Sequence, residues 1–231
     1  MKIFLDSANV KEIEKWLCYG IVDGVTTNPS IMLKDGIYNI EEGVKKLAKL
    51  ISPLPLSAEV TTNDLKEMME QARWLASLAH NVVIKIPVEN EFGVPCLGVI
   101  SQLEKAGIKV NATAILSFGQ LMFAAKAGAT YVSLFAGRIN DEGGNAAEVI
   151  ANSVAWLDDW DFKSELIVGS IRSAGDVISA ALAGAHIITV PPQYLDKIAD
   201  HKYSRVTVKE FIADAQSALK MMDKPRPQND G

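Results

Sequence analysis

Short apolar runs alternate with segments of helical periodicity along most of the chain. The run Val82-Val83-Ile84-Lys85-Ile86-Pro87-Val88 is rich in β-branched residues, which is typical of a strand buried on both faces. By contrast, residues 63–79 place Leu65, Met68 and Ala72 on one side of a helix. The same alternation predicts eight strands: Lys2–Asp6, Asp23–Thr27, Leu54–Val60, Val82–Val88, Ile108–Ala112, Thr130–Phe135, Glu165–Ser170 and His186–Val190.

Turn and capping residues fall between the predicted elements. Glycines stand where a left-handed residue would close a helix before the next strand, at Gly107, Gly128 and Gly184. Residues suited to capping the N-terminus of a helix are Asn63, Ser117 and Ser173. Ser173 is followed three residues later by Asp176, a spacing that resembles a capping box.

Strict alternation of strands and helices predicts parallel strands joined by right-handed connections. Eight such units in about 200 residues favour an α/β fold with a single (β/α)8 TIM barrel. A doubly wound sheet is the alternative. That fold usually carries a glycine-rich loop after its first strand, whereas Asp6-Ser7-Ala8-Asn9 contains no glycine.

The C-terminal part of the chain adds one more predicted helix, Val206 to Met222, with an apolar stripe that includes Phe211 and Leu219. The stripe could dock on the chain's own barrel or on a neighbouring subunit. We predict one domain over residues 1–222, comprising the barrel and the terminal helix, followed by a disordered polar tail over residues 223–231.

Composition argues against several classes of function. The 231 residues are 48% hydrophobic and 22% charged with a net charge of −5, which predicts a soluble protein without general affinity for nucleic acid or an anionic membrane. The apolar stretch Ile3-Phe4-Leu5 is too short for a signal peptide or a membrane span.

Cys18 and Cys96 form no CxxC pair, which favours a reducing compartment, and we expect a cytoplasmic location. The histidines show no metal-ligand spacing.

Lys85 stands inside an apolar strand, where a lysine is unexpected. Burial away from water disfavours an ammonium ion and favours a neutral amine, which can attack a carbonyl carbon. Lys85 is therefore a candidate Schiff-base nucleophile. The alternative is a lysine at the end of the strand that packs its stem on the core and extends its amine to solvent.

Polar residues follow the strands at their carboxyl ends, which form the active-site face of a (β/α)8 barrel. Seven predicted strands contribute to this set: Asp6, Thr27 and Asn28, Glu59, Lys85, Asn111 and Thr113, Ser133 and Arg138, and Ser170 with Arg172. A single carboxylate in such a place often only caps a helix. Two carboxylates, a lysine and a threonine at one mouth suit carbinolamine and imine chemistry, in which carboxylates move protons while a carbon–carbon bond breaks.

Arg138, Ser170 and Arg172 indicate a site for an anionic group of the substrate. The segment Gly169-Ser170-Ile171-Arg172-Ser173 joins a strand to a predicted helix N-terminus, where backbone N–H groups and the helix dipole favour phosphate. Phosphate sites in this fold often lie beside strands seven and eight. The alternative is that each arginine pairs with a nearby carboxylate, such as Arg138 with Asp141.

Several sequence motifs occur in a fixed order from residue 1 to about residue 220: Phe4-Leu5-Asp6-Ser7-Ala8-Asn9, Gly24-Val25-Thr26-Thr27-Asn28-Pro29-Ser30, Ser57-Ala58-Glu59-Val60, Val83-Ile84-Lys85-Ile86-Pro87, Ile108-Lys109-Val110-Asn111-Ala112-Thr113, Gly137-Arg138 and Ser170-Ile171-Arg172. In order and spacing they resemble the short transaldolase family, which also includes the fructose-6-phosphate aldolases. The segment around Asn28 is the most specific of these motifs.

This resemblance implies a (β/α)8 barrel that moves a dihydroxyacetone unit between phosphorylated sugars of the pentose phosphate pathway, without a metal or an organic cofactor. It implies Lys85 as the imine-forming nucleophile, Asp6 as the base on the cleaved hydroxyl, and Glu59 with Thr113 as holders of a catalytic water. The resemblance implies that Asn28 and Ser133 bind substrate hydroxyls and that Arg138, Ser170 and Arg172 hold the phosphate. We expect three neighbours of these residues to bind substrate as well: Thr27, Asn111 and Phe135.

The resemblance also bears on the choice between two activities. Transaldolases of the family carry glutamate and phenylalanine where the aldolases carry glutamine and tyrosine, and this chain has Glu59 and Phe135. We therefore favour a transaldolase over a fructose-6-phosphate aldolase. A phosphosugar-binding barrel without catalysis is a third hypothesis, but simple binding requires no lysine beside two carboxylates. The family's ring-shaped assemblies imply a homo-oligomer, such as a decamer of two pentameric rings.

Overall fold

The structure, a computed structural model that describes residues 1–222, contains a closed barrel of eight parallel strands. The strands are β1 (Lys2–Asp6), β2 (Gly24–Thr26), β3 (Leu56–Glu59), β4 (Val82–Pro87), β5 (Val110–Ile115), β6 (Tyr131–Phe135), β7 (Glu165–Gly169) and β8 (Ile187–Val190). β1 pairs with β2 on one side and with β8 on the other, which closes the barrel. The predicted (β/α)8 architecture is confirmed, and the doubly wound sheet is excluded.

Helices follow the strands around the barrel. They are α1 (Val10–Cys18), α2 (Pro29–Lys34), α3 (Ile40–Ile51), α4 (Leu65–Ser77), α5 (Leu97–Lys105), α6 (Phe118–Lys126), α7 (Ala136–Asp141), α8 (Ala146–Asp159), α9 (Ala174–Leu182), α10 (Pro192–Ala199) and α11 (Lys202–Met222). Left-handed glycines follow α5, α6 and α9 as predicted, with φ of 78° at Gly107, 95° at Gly128 and 88° at Gly184. Because glycine has no Cβ, these turns form without steric cost.

Strand β5 differs most from its prediction. It starts at Val110 and extends to Ile115, whereas the sequence pattern predicted Ile108–Ala112. The pairing with β6 shifts register between Ala112 and Ile115, and Ala114 adopts a left-handed φ of 58°. Such an irregularity bends the strand and changes the direction of nearby side chains, and bulges of this kind are common next to active sites.

Two of the three predicted N-caps are confirmed. Ser117 accepts a hydrogen bond from the backbone N–H of Gln120, and Ser173 accepts one from Asp176. The prediction of Asn63 as a cap was wrong, because Asp64 caps α4 instead. The Asn63 side chain binds the loop after β4, where its Nδ2 donates to the Glu91 carboxylate over 2.6 Å.

The barrel interior has an apolar layer of buried side chains: Phe4, Val83, Tyr131, Ile167 and Ile187. Gly24 leaves room for Phe4, since a Cβ atom there would lie 2.7 Å from the aromatic ring. Side chains two residues further along a strand face the same way. The residues two positions after these five are Asp6, Lys85, Ser133, Gly169 and Thr189, so a polar layer lies over the apolar one.

Residues Met1–Tyr194 form one compact unit, and a second unit starts at Leu195. Helix α11 starts at Lys202 rather than at the predicted Val206, and every described residue of it is exposed. Its predicted apolar stripe is open to solvent, with Phe211 67% and Leu219 61% exposed. The tail predicted for residues 223–231 lies outside the described residues. Among residues 1–222, no helix is both long and apolar enough to cross a membrane.

Candidate active site

A cavity of about 160 Å³ lies among the carboxyl ends of the strands. Most of the predicted site residues line it: Asp6, Asn28, Lys85, Asn111, Thr113, Ser133, Phe135, Arg138 and Ser170. Three further lining residues were not predicted, namely Thr26, Gly169 and Thr189. The barrel thus brings side chains from seven of its strands, or from the loops that follow them, to one small space.

Lys85 keeps its amine inside the barrel. The residue is only 5% exposed, so its side chain does not extend to solvent. Its Nζ donates a hydrogen bond to the backbone carbonyl of Thr27 over 3.0 Å and lies 2.9 Å from Oε2 of Glu59. A carboxylate at this distance can exchange a proton with the amine or with an atom bonded to it.

Glu59 and Thr27 lie outside the cavity lining, although both contact Lys85. Glu59 lines a neighbouring cavity of about 270 Å³ whose wall is mostly apolar and includes Met32 and Tyr38. The Thr27 hydroxyl donates to the backbone carbonyl of Ser57 over 2.8 Å and is fully buried. Thr27 therefore supplies a backbone carbonyl to the site rather than its side chain. Successive strand residues face opposite sides, so it is the preceding threonine, Thr26, that faces the interior.

The Asp6 carboxylate lies at one end of a hydrogen-bonded chain that contains two threonine hydroxyls. Thr26 donates to its Oδ1 over 2.8 Å, and the Thr26 and Thr189 Oγ1 atoms are 2.5 Å apart. Burial raises the pKa of the Asp6 carboxyl above its ordinary value of 3.8, while the charge of Lys85 and the Thr26 hydrogen bond act in the opposite direction. Asp6 is thus a base that holds a proton more readily than an exposed aspartate.

A second hydrogen-bonded chain connects β3, β5 and β6. Ser133 donates to Oδ1 of Asn111 over 2.6 Å, and Nδ2 of Asn111 lies 3.2 Å from Oγ of Ser57. All three residues are buried. Since the single hydroxyl proton of Ser133 is used on Asn111, its oxygen remains available as an acceptor for a substrate hydroxyl.

Thr113 stands on β5 just before the left-handed Ala114. Its Oγ1 is buried and makes no hydrogen bond to any residue in the described range 1–222. Buried hydroxyls are normally paired, and this one lines the cavity. Thr113 can therefore form a hydrogen bond with a ligand or a water molecule in this cavity.

The predicted anion-binding residues lie at the β6 and β7 side of the cavity. The Arg138 guanidinium carbon lies 5.7 Å from the centroid of the Phe135 ring, and no carboxylate in the described part of the chain pairs with it. Arg172 instead pairs with Asp141 over 2.6 Å and does not line the cavity. The expected alternative of an Arg138–Asp141 pair is therefore wrong, because Asp141 binds the other arginine.

The backbone around Ser170 is tightly constrained. Ser170 adopts a left-handed φ of 59°, which is uncommon for a residue with a side chain. The Asp176 carboxylate accepts from the backbone N–H of Arg172 over 2.8 Å, one residue before the position that a capping box uses. This contact occupies one of the N–H groups that the sequence pattern offered to a phosphate.

Sequence reasoning missed Thr26 and Thr189. Each is a hydroxyl residue inside a short apolar run, which was the available signal, and each stands one position before the end of its predicted strand. No cluster of three or more His, Cys, Asp or Glu residues that could hold a metal ion occurs in the part of the chain that the structure describes.

The fold is a parallel eight-stranded (β/α)8 barrel, and its candidate site joins the Lys85 amine to the Glu59 carboxylate, with the Asp6 carboxylate close enough to feel the charge of Lys85. Comparison of sequences specifies it further: residues 3–226 match the family described as Transaldolase/Fructose-6-phosphate aldolase. The chain belongs to this family and is an enzyme of it.

Individual relatives agree with this assignment. The chain is 42% identical over 221 residues to a probable transaldolase of Caldicellulosiruptor saccharolyticus, covering 95% of this chain and 99% of that protein. It is 40% identical over 220 residues to a probable transaldolase of Methanococcus vannielii, covering 95% and 100%. A mandelate oxidase mutant bearing an FMN adduct has a similar structure, with a TM-score of 0.54 and 16% identity, over 82% of this chain and 63% of that one. This last similarity concerns the fold alone.

Proposed function

We propose that this chain is a transaldolase of the pentose phosphate pathway in the cytoplasm. It transfers a dihydroxyacetone unit from sedoheptulose 7-phosphate or fructose 6-phosphate to glyceraldehyde 3-phosphate or erythrose 4-phosphate. The observation that carries the proposal is the buried Lys85 amine, 2.9 Å from the Glu59 carboxylate and in the same polar layer as Asp6. A barrel that only bound phosphosugars would gain nothing from burying an amine there.

The reaction starts when Lys85 gives a proton to the Glu59 carboxylate, which lies 2.9 Å away, and the amine then attacks the C2 carbonyl of the ketose phosphate. The resulting carbinolamine loses water and becomes an imine, and Glu59 and Thr113 move the protons of this step through a water molecule. Proximity supports these roles, since Glu59 touches the amine and the Thr113 hydroxyl is unpaired within the described residues. The positive imine then withdraws electrons from the bond between C3 and C4.

Cleavage of that bond requires removal of the proton from the C4 hydroxyl. Asp6 takes it, the bonding electrons pass into the imine, and an aldose phosphate leaves while an enamine remains on Lys85. The raised pKa of the buried Asp6 carboxyl supports this role, because a stronger base accepts the hydroxyl proton more readily. The enamine carbon then attacks the aldehyde carbon of the acceptor, which forms the new carbon–carbon bond and restores the imine, while Asp6 returns the proton to the aldehyde oxygen. Addition of water to this imine releases the ketose product and frees Lys85.

Phosphate recognition falls to Arg138, Ser170 and Arg172. Arg138 supports this best, because its guanidinium is held over the Phe135 ring and no described carboxylate neutralises it. Arg172 can contribute once its exposed pair with Asp141 opens, which costs little because both side chains are about half exposed.

The proposal is tested by trapping and by product analysis. Borohydride added with fructose 6-phosphate should attach a three-carbon adduct to the peptide that contains Lys85, and Lys85→Met should abolish adduct and turnover. Replacement of the exposed Lys66 by Met is the matched control and should leave both intact. Labelling at another lysine would contradict the mechanism. Release of free dihydroxyacetone at the same rate with and without erythrose 4-phosphate would replace the transaldolase assignment by fructose-6-phosphate aldolase.

We also propose that the chain assembles into a homo-oligomer in which α11 docks its apolar stripe on a second copy. Val208, Phe211, Ile212 and Leu219 are all more than half exposed, and exposed apolar surface of this kind marks an interface. Light scattering of a chain ending at His201 tests this assembly, with circular dichroism to verify the barrel. An unchanged mass with an intact barrel would refute the role of α11.

A further inference from the structure

Thr189 stands in the last strand of the barrel, on the opposite side of β1 from β2. β1 lies between them, with Asp6 paired to Thr26 and Phe4 paired to Thr189. Thr189 is 6% exposed, Thr26 is 2% exposed, and both line the cavity with Asp6. Because the barrel is closed, residues far apart in the sequence can meet around the first strand.

The hydrogen bonds among these three residues have a fixed direction when Asp6 is ionised. The Thr26 hydroxyl has a single proton, which it donates to Oδ1 of Asp6 over 2.8 Å. The Thr26 oxygen therefore has no proton left for Thr189, and the 2.5 Å contact between the two hydroxyls must have Thr189 as its donor. The chain runs from Thr189 to Thr26 to Asp6.

Hydrogen bonds arranged in series polarise one another. A Thr26 oxygen that accepts a proton from Thr189 makes Thr26 a stronger donor to the Asp6 carboxylate. Thr189 also prevents the Thr26 hydroxyl from rotating toward it. After that rotation the buried Thr189 hydroxyl could no longer donate its proton to the Thr26 oxygen, and a buried donor without an acceptor is unfavourable. Oδ1 of Asp6 is thereby held, and Oδ2 remains for the proton of a substrate hydroxyl.

We propose that Thr189 is a positioning residue that acts through Thr26 to orient Asp6 and to favour its ionised form. This rests on the proposed function for the role of Asp6 as the base. The charged groups that act on Asp6 are Lys85 of β4, which favours the carboxylate, and Glu59 of β3, which disfavours it. β2 and β8 contribute hydroxyls and no titratable group, so removal of the Thr189 hydroxyl leaves these charges in place.

The test compares Thr189→Val, which removes the hydroxyl at nearly constant volume, with Thr189→Ser, which keeps it. In the free enzyme, the ¹³Cγ signal of Asp6 followed against pH should show proton release at a higher pH in Thr189→Val and at the wild-type pH in Thr189→Ser. In turnover of fructose 6-phosphate with erythrose 4-phosphate, kcat/KM falls at acidic pH as Asp6 takes up its proton. The pH of this fall should be higher in Thr189→Val and unchanged in Thr189→Ser. kcat at pH 7 should fall about tenfold, with KM changed by less than about twofold.

A double-mutant cycle tests whether Thr189 acts through Thr26. In a Thr26→Val background, Thr189→Val should cause no further change in the Asp6 titration. An equal shift in both backgrounds, or no shift in the wild-type background, would overturn the inference. If Thr189→Val does not fold, Thr189→Ala replaces it in every measurement. Because the titration uses free enzyme, it tests the inference even if the wild-type enzyme turns over no sugar phosphate. Absence of turnover would reject only the proposed function.

Discussion

Gly137 lies so close to Ser170 that a Cβ atom at position 137 would collide with the Ser170 carbonyl oxygen. The same atom would also crowd Nε of Arg172. The start of α7 and the loop after β7 can therefore approach each other only because residue 137 has no side chain. This approach brings Arg138 beside Ser170.

Gly137→Ala should accordingly damage phosphate recognition. We expect a rise of about tenfold or more in KM for fructose 6-phosphate, with a smaller effect on unphosphorylated fructose, because the loop must move away from Arg138. Steady-state kinetics with both sugars measure this. Gly119→Ala is the matched control, since a Cβ atom there meets nothing within 4 Å in helix α6. It should leave KM unchanged and increase the free energy of unfolding by about 1 kcal/mol. Equal kinetics in both variants would contradict the packing argument.

The two arginines should differ in their contributions. Arg138→Met removes a cation that no described carboxylate neutralises, and it should weaken the phosphorylated substrate by roughly 1.5–3 kcal/mol. Arg172→Met should weaken binding of the phosphorylated substrate less, since Arg172 must first break its pair with Asp141 before it can contact phosphate. Asp141→Asn frees Arg172 and should improve the apparent affinity for phosphate. Inhibition constants for inorganic phosphate would compare the three variants. Equal losses for phosphorylated and unphosphorylated sugars would mean that the arginines are structural.

Phe135 should protect the enamine from water. A phenyl ring neither positions water nor donates a proton to the enamine carbon, whereas a tyrosine hydroxyl can do both. Phe135→Tyr should therefore raise the release of free dihydroxyacetone relative to transfer, and addition of Glu59→Gln should raise it further. Phe123→Tyr introduces the same hydroxyl on the exposed face of α6 and is the control. A ratio of release to transfer that is equal in Phe135→Tyr and Phe123→Tyr would rule out this role.

Asp6 should reduce stability at neutral pH. Its pKa is raised in the folded chain, so the folded state binds the proton more tightly than the unfolded state does. The free energy of unfolding then falls as pH rises from the ordinary pKa through the folded one. Asp6→Asn removes this penalty and should raise Tm at pH 7, with the gain shrinking as the pH approaches 3.8.

Thermal melts at several pH values measure this effect. Asp159→Asn, which changes an exposed aspartate on α8, is the control and should show no pH-dependent gain. A gain for Asp6→Asn that is equally large at pH 4 and pH 7 would contradict an origin in ionisation.

The sequence predicted the barrel well, because the apolar runs and the glycines between them follow directly from parallel strands buried on both faces. It failed where a backbone conformation departs from what the residue type favours. Ala114 is left-handed without being glycine, and so the extension of β5 had no local signal.

Within the candidate site, the strand-end residues were predictable as a group, since the fold places them on one face. The finer assignments depended on geometry. Either of two neighbouring threonines could have faced the interior, and only the register with β1 decides that it is Thr26. The pairing of Arg172 with Asp141 joins residues 31 positions apart, which periodicity does not reveal.

Because β8 closes the barrel against β1, the order of translation determines when the barrel interior becomes enclosed. Asp6 leaves the ribosome well before Thr189, which follows it by 183 positions in the sequence. Until then β1 has an unpaired edge, and the interior that buries Asp6 is open to water. Lys85 and Asp6 are both present long before that point, yet a nascent chain cannot exclude water around them. Translation itself therefore delays the burial of the Lys85 amine until β8 has closed the barrel around it.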